Sequence, residues 1–261
     1  MTELSIQIIN YNTKKYLERC LRSLLKDLED VKFSYKIIIL DNNSNDDLSG
    51  LQFSYKEVDF YRLKNNLGFA GGHNWLAVKQ KSRKLLILNP DIEFSESNTV
   101  SRLVNQQKSS IEVVGPRLVN KEGITQQWDH GELKGLKAYI ADKVNRSVWQ
   151  EQTQLTRATW VSGAVFLINR TVFDELKGFD EGFFLYGEEE ELCYRLRRKG
   201  GIVLYDPTIS VLHHGGVAAP KDERRAHHER SKSYFSQKHA AKRLSYPFWR
   251  YLNKKLNAHH D

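Results

Sequence analysis

Residues 35–47 read YKIIILDNNSNDD, an apolar run that stops abruptly at a block of Asp, Asn and Ser. A strand without alternation between apolar and polar positions is one buried on both faces, as in a parallel sheet covered by helices on each side. The polar block then falls at the carboxyl end of that strand, the edge where open α/β sheets bind ligands. Residues 4–9 (LSIQII) form a similar β-branched run, followed by Asn10, Tyr11, Asn12 and Thr13. Beyond them Leu17, Cys20, Leu21, Leu24, Leu25 and Leu28 recur on one helical face, with Asn12 or Thr13 placed to cap that helix. Residues 58–63 predict a third strand, and the stretch 64–74 (KNNLGFAGGHN) leads into a second amphipathic helix. Its glycines allow backbone amides to approach a ligand, although the G-x-G-x-x-G dinucleotide spacing is absent. Residues 84–88 (KLLIL) predict a fourth buried strand, stopped by Asn89-Pro90-Asp91. This alternation over the first 115 or so residues is that of a doubly wound α/β sheet, whose polar strand ends converge on one site for a polar, phosphorylated ligand.

The chain has 261 residues, a net charge of +8 and two cysteines, Cys20 and Cys193, each on the apolar side of a predicted helix. Such cysteines read as core thiols in a reducing compartment. No basic leader and no run of about 20 apolar residues is present, so the expectation is a cytoplasmic protein. The positive charge favours an anionic partner, and nucleic acid is disfavoured because no recognisable binding module accompanies it. The tail from residue 221 interleaves aromatic and basic residues, among them Tyr234, Phe235, Lys238, Tyr246, Phe248, Trp249 and Lys254. Two readings stand: a helical cover packed on the domain, or attachment to an anionic membrane surface on the inner face of the cell membrane.

From residue 117 to 157 the periodicity fades, which suits a variable loop or short helices at the sheet edge. Residues 159–168 (TWVSGAVFLI) predict a strand broken at Ser162-Gly163, with a helix from 170 to 176 after it. Then comes DEGFFLYGEEEELCYRLRRK, residues 180–199, in which an aromatic run passes through Gly187 into Glu188, Glu189, Glu190 and Glu191 at a helix start. Acids in a first turn offset the helix dipole, but a carboxylate beside aromatic side chains loses hydration, its pKa rises, and it becomes a candidate general base. A strand at 202–205, then Asp206-Pro207, precedes His213-His214-Gly215-Gly216. A histidine from this pair and Asp91 are types able to share a divalent cation.

Taken together, residues 8–12 (IINYN), 40–44 (LDNNS), 65–72 (NNLGFAGG), 88–91 (LNPD), 161–164 (VSGA) and 178–193 (GFDEGFFLYGEEEELC) resemble family 2 glycosyltransferases, in the family's order over roughly residues 4–240. Within the family the chain looks most like the rhamnosyltransferase-like branch of bacterial surface polysaccharide synthesis. The resemblance implies a GT-A fold: an α/β domain with a mixed sheet over residues 1–220, with a nucleotide-binding half (1–115) and an acceptor-binding half (116–220), followed by a helical extension (221–261). It implies that Asp91 stands at the family's Asp-x-Asp motif and that His213, or His214 one position on, adds a second ligand to Mn or Mg. Asn10, Tyr11, Asn12, Asp41, Asn43, Asn66, Gly68 and Asn89 would then bind the nucleotide, with Asp41 reading the base. Trp160, Ser162, Gly163 and Tyr186 would shape the acceptor pocket. Glu189 matches the catalytic base and Glu188 its neighbour, with Glu where the family has Asp. The implied reaction is inverting transfer from a nucleoside-diphosphate sugar, dTDP-L-rhamnose before UDP-hexoses, to a glycan or lipid-linked glycan hydroxyl. A sugar-nucleotide nucleotidyltransferase and a non-catalytic glycan-binding subunit are the competing readings, and the oligomeric state is left open.

Overall fold

The computed structural model describes residues 2–132, 149–217 and 220–243. Among these, β1 (Thr2–Asn10), β2 (Tyr35–Asp41), β3 (Asp59–Arg62) and β4 (Ser82–Leu88) form a parallel block in the order β3-β2-β1-β4. The crossovers are α1 (Lys14–Asp27), α2 (Ser49–Ser54) and α3 (Gly68–Lys79). Ile6 lies between Ile37 and Leu86 in register, and all three are buried. One face of the block packs on Leu17, Cys20, Leu21 and Leu24 of α1, while Ile38 and Leu40 face Leu76 of α3. The unalternating strands are therefore covered on both sides, each buried Leu or Ile contributing about 1.5–3 kcal/mol.

The sheet continues without a break into the second half. β4 pairs antiparallel with β9 (Val165–Asn169), β9 with β6 (Glu112–Val119), β6 parallel with β10 (Ile202–His213), and β10 antiparallel with β8 (Thr156–Val161), which holds β7 (His130–Glu132) at the edge. A two-residue β5 (Ile92–Glu93) pairs with the far end of β10, and α4 (Thr99–Gln106) precedes β6. Three expectations are corrected. β6 runs on into the supposed loop from residue 117; Gly115-Pro116 disguises it, because the glycine makes room for Val161 on the neighbouring surface. The interruption at Ser162-Gly163 is not a kink in one strand but the crossing from β8 to β9, which occupy different places in the sheet. The strand expected at 202–205 runs on to His213, with a bulge between Asp206 and Ser210.

After α5 (Arg170–Glu175) and α6 (Glu188–Arg198), the chain ends its described course in α7 (Lys221–Arg243). Tyr234 and Phe235 of α7 pack on Phe183, as a helical cover would. The tail residues Tyr246, Phe248, Trp249 and Lys254 lie outside the described residues. Both cysteines are free and fully buried, and burial pushes the Cys193 thiol up to about 12. No helix among the described residues is long and apolar enough to cross a membrane.

Candidate active site

The carboxyl ends of β1 and β2 are locked to each other. Asn10, fully buried, donates to Ser44 Oγ and Asp46 Oδ2, each at 3.1 Å, and accepts from Thr13 Oγ1 at 2.9 Å. Asp46 also takes the Lys14 N–H at 2.9 Å, so α1 is capped from the neighbouring loop and not by the side chain of Asn12 or Thr13. Asn12, at φ 56, instead accepts the Asn45 N–H at 2.8 Å. Asp41 accepts the Ser44 N–H at 3.1 Å and faces Arg62 Nε at 3.4 Å. Asn66 accepts from the Asn42 amide and from the Gly68 N–H, both at 2.8 Å. Of the expected nucleotide set, Asn10, Asn12 and Asn66 thus spend their side chains shaping loops, while Tyr11 and Asn43 stand exposed on the rim. Gly68 has φ +71, and a Cβ there would lie 2.9 Å from the Phe184 carbonyl carbon. That close approach lets the Phe69 N–H bond Phe184 O at 2.8 Å, tying α3 to the stretch that precedes the glutamates.

At the end of β4, Asp91 is buried with Oδ1 3.4 Å from His213 Nε2, while Oδ2 accepts the Gly215 N–H at 2.9 Å. Burial pushes the Asp91 carboxyl up, but the His213 contact and the Gly215 N–H outweigh it and hold the group below its usual range. Gln126 clamps the imidazole from behind: its Nε2 donates to His213 O at 2.6 Å and its Oε1 faces Nδ1 at 2.8 Å. With the amide so oriented, Nδ1 carries a proton and Nε2 faces Asp91. A carboxylate oxygen and an imidazole nitrogen facing at that distance are a donor pair that a divalent cation could share, so the set fits a divalent metal. Among the described residues no group of three or more His, Cys, Asp or Glu converges, so other ligands would come from substrate or water. Asn89 Nδ2 lies 3.4 Å from the same His213 nitrogen. His214 turns the other way, to Glu93 Oε1 at 2.6 Å and to the Tyr16 ring.

The glutamates divide by partner. Glu191 is fully buried and paired, with Arg195 Nε at 2.6 Å and Lys238 Nζ at 2.9 Å. Glu188 and Glu189 each keep one oxygen, Oε2, buried and without a hydrogen-bond partner among the described residues. Burial, then the charge of Glu189, pushes the Glu188 carboxyl well above its ordinary value. Burial also raises Glu189, but the backbone amides of Glu189, Gly163, Gly187 and Glu190 oppose the rise. Both carboxyls are thus raised, and Glu189 has the larger number of backbone amides favouring its charged form.

The turn between β8 and β9 joins these two places. The Asn89 N–H donates to Ala164 O at 2.9 Å on one side, while the Gly163 amide faces Glu189 on the other. Ser162 N–H donates to Asp129 O at 2.9 Å. Trp160 is a core side chain filling the space a side chain at 131 would need, because Gly131 opposes it across the β7–β8 pair. Tyr186, at φ 71, stacks on His228 with ring centroids 3.8 Å apart.

The family model "Glycosyl transferase family 2" matches residues 5–185, well over half of the chain. The chain belongs to glycosyl transferase family 2. Among curated relatives it is 25% identical over 227 residues to the low-salt glycan biosynthesis hexosyltransferase Agl10 of Haloferax volcanii, covering 83% of this chain and 69% of that one. It is 23% identical over 264 residues to the N-acetylglucosaminyl-diphospho-decaprenol L-rhamnosyltransferase of Mycobacterium tuberculosis, covering 91% and 85%. The rhamnosyltransferase-like branch is thus where the sequence sits. In structure it resembles GalNAc-T7, solved with UDP, GalNAc and Mn2+, at a TM-score of 0.64 and 22% identity, over 82% of this chain and 44% of that one. That likeness carries the GT-A fold.

For this family 2 chain the sequence motifs located the rims. What they missed is the second layer: Arg62 behind Asp41, Gln126 behind His213, and Asp46 capping α1. Gln126 had no signal, since it lies in the stretch without periodicity.

Proposed function

We propose that the chain is an inverting glycosyltransferase that moves a sugar from a nucleoside-diphosphate donor to a hydroxyl of a glycan or lipid-linked glycan. The carrying observation is Glu189, a half-buried residue whose raised carboxyl keeps one buried oxygen unpartnered, with the Gly163–Ala164 turn linking it to the Asp91–His213 pair. Asp91 and His213 would hold Mn or Mg, which supplies Lewis-acid assistance to departure of the nucleoside diphosphate. Glu189 takes the proton of the acceptor hydroxyl as that oxygen attacks the anomeric carbon from the face opposite the leaving group, which inverts the centre. Glu188, whose protonated form burial and the Glu189 charge favour, resists a second negative charge beside it. Asp41, Tyr11 and Asn43 form the rim for the base and ribose, and Ser162, Gly163 and Tyr186 border the acceptor side. The mycobacterial relative's name supports an L-rhamnosyl donor and a lipid-diphosphate-linked acceptor, so dTDP-L-rhamnose is the first donor to try, with UDP-hexoses next.

The test is a panel of nucleotide sugars with Mn2+ or Mg2+, scored by thermal shift and by release of nucleoside diphosphate. The expected result is metal-dependent stabilisation and slow donor hydrolysis with one dTDP- or UDP-sugar. Stabilisation without any release across the panel, with acceptor glycans added, would instead support a binding subunit.

A further inference from the structure

The face of α7 that meets the rest of the molecule repeats every three to four residues, through Arg224, His228, Ser231, Tyr234 and Lys238. His228 stacks on Tyr186, Ser231 Oγ donates to Leu185 O at 3.0 Å, and Tyr234 packs edge-on against Phe183. Lys238 is held between Asp180 and Glu191. Arg224 departs from this pattern of satisfied groups. It has no carboxylate within ion-pair distance among the described residues, and its Nε is buried without a hydrogen-bond partner. Its guanidinium lies over Gly216, with Cζ 2.9 Å and Nη2 3.1 Å from the point a Cβ would occupy. Gly215 and Gly216 both have φ +69, and the Gly215 N–H is the donor that holds Asp91 Oδ2 at 2.9 Å. An unpaired cation thus sits one residue from the backbone group that fixes the carboxylate of the cation site.

Resting on the glycosyltransferase reading, we infer that Arg224 binds the diphosphate of the donor sugar nucleotide and stays with it as the leaving group. A half-buried guanidinium whose buried Nε–H lacks a partner is satisfied by an anionic acceptor, and its planar fork matches two oxygens of one phosphate. When the bond from the anomeric carbon to the β-phosphate oxygen breaks, its electron pair goes to that oxygen. A fixed cation at that end favours the products without itself giving up a proton. A lipid-linked acceptor presents the same diphosphate chemistry, but the position beside the Asp91 turn favours the donor.

The experiment measures binding of dTDP and UDP, each with Mn2+, and of thymidine and uridine, to wild type, Arg224→Ala, Arg224→Lys and Arg225→Ala, with apo melting temperatures for all. Arg224→Ala should weaken the diphosphate by about tenfold or more, as loss of a charge-assisted pair does, and leave the nucleoside unchanged. Arg224→Lys should fall between, and exposed Arg225→Ala should match wild type. Equal diphosphate affinity in Arg224→Ala, or an equal loss for the nucleoside, overturns the inference. If geranyl diphosphate competes with the nucleotide and only its binding depends on Arg224, the residue serves the acceptor and the inference also fails. Wild type that binds no nucleoside diphosphate with Mn2+ is a different failure, that of the glycosyltransferase reading itself.

Discussion

Two carboxylate sites lie on either side of the Gly163–Ala164 turn, and the fold treats them oppositely. Asp91 is given partners, the His213 imidazole and the Gly215 N–H, which keep it ionised despite burial. Glu188 is buried and Glu189 half-buried, each with a buried oxygen left unpartnered, and both are pushed upward. A permanently charged carboxylate is suited to a cation, whereas a carboxylate raised toward neutrality is suited to taking a proton. The difference supports the proposed division of roles, in which one side holds the donor and the other deprotonates the acceptor.

The strongest way to break that division is Glu189→Gln. Its expected effect is a fall in turnover of about 10²–10⁴-fold, the range for loss of a general base, with nucleoside diphosphate affinity in Mn2+ unchanged. Asp91→Asn should do the reverse in kind, weakening metal-dependent nucleotide binding by about 10–100-fold in calorimetry while nucleoside binding persists. Should Glu189→Gln lose the nucleotide and Asp91→Asn keep it, the two sites have been assigned the wrong way round.

The parallel block was legible because each of its strands is a local statement: an unbroken apolar run is buried on both faces wherever it lies. β6 was not, since Gly115 and Pro116 are unfavourable locally and are tolerated only because Val161 and β10 supply the packing. The site was legible in its motifs and illegible in its assignments. Four identical glutamates carry no mark of which will meet Arg195 and Lys238 and which will be left with a free oxygen. That depends on α7, 30 or more residues away in the chain. The same holds for His213 and His214, adjacent residues that β10 directs to Asp91 and to Glu93 respectively.

Lys238→Ala tests whether that distant helix fixes the glutamate stretch. Glu191 would keep Arg195 but lose a donor to a fully buried oxygen, and Asp180 would lose its cation. The expected loss is about 1–2 kcal/mol of stability, since the charge-assisted bond is only partly shielded from water. The fall should appear as a lower melting temperature and, if α7 positions Glu189, as reduced turnover with nucleotide affinity intact. A melting temperature equal to wild type would detach α7 from the comparison.

The smallest expected effect is the sharpest on Glu188. Its folded pKa is raised by burial and by Glu189, so the protonated carboxyl is favoured by the fold. That contribution is fully present below the ordinary glutamate value of about 4.3 and is lost as pH rises through the folded value. Glutamine mimics the protonated form at every pH. Glu188→Gln should therefore melt with wild type near pH 4 and above it at pH 8, by about 2–4 °C for each kcal/mol regained in a chain of this size. A difference that is flat with pH, or that shrinks as pH rises, would mean that Glu188 is ionised in the fold. Glu189 would then be the neutral member of the pair, and the base would have to be sought at position 188.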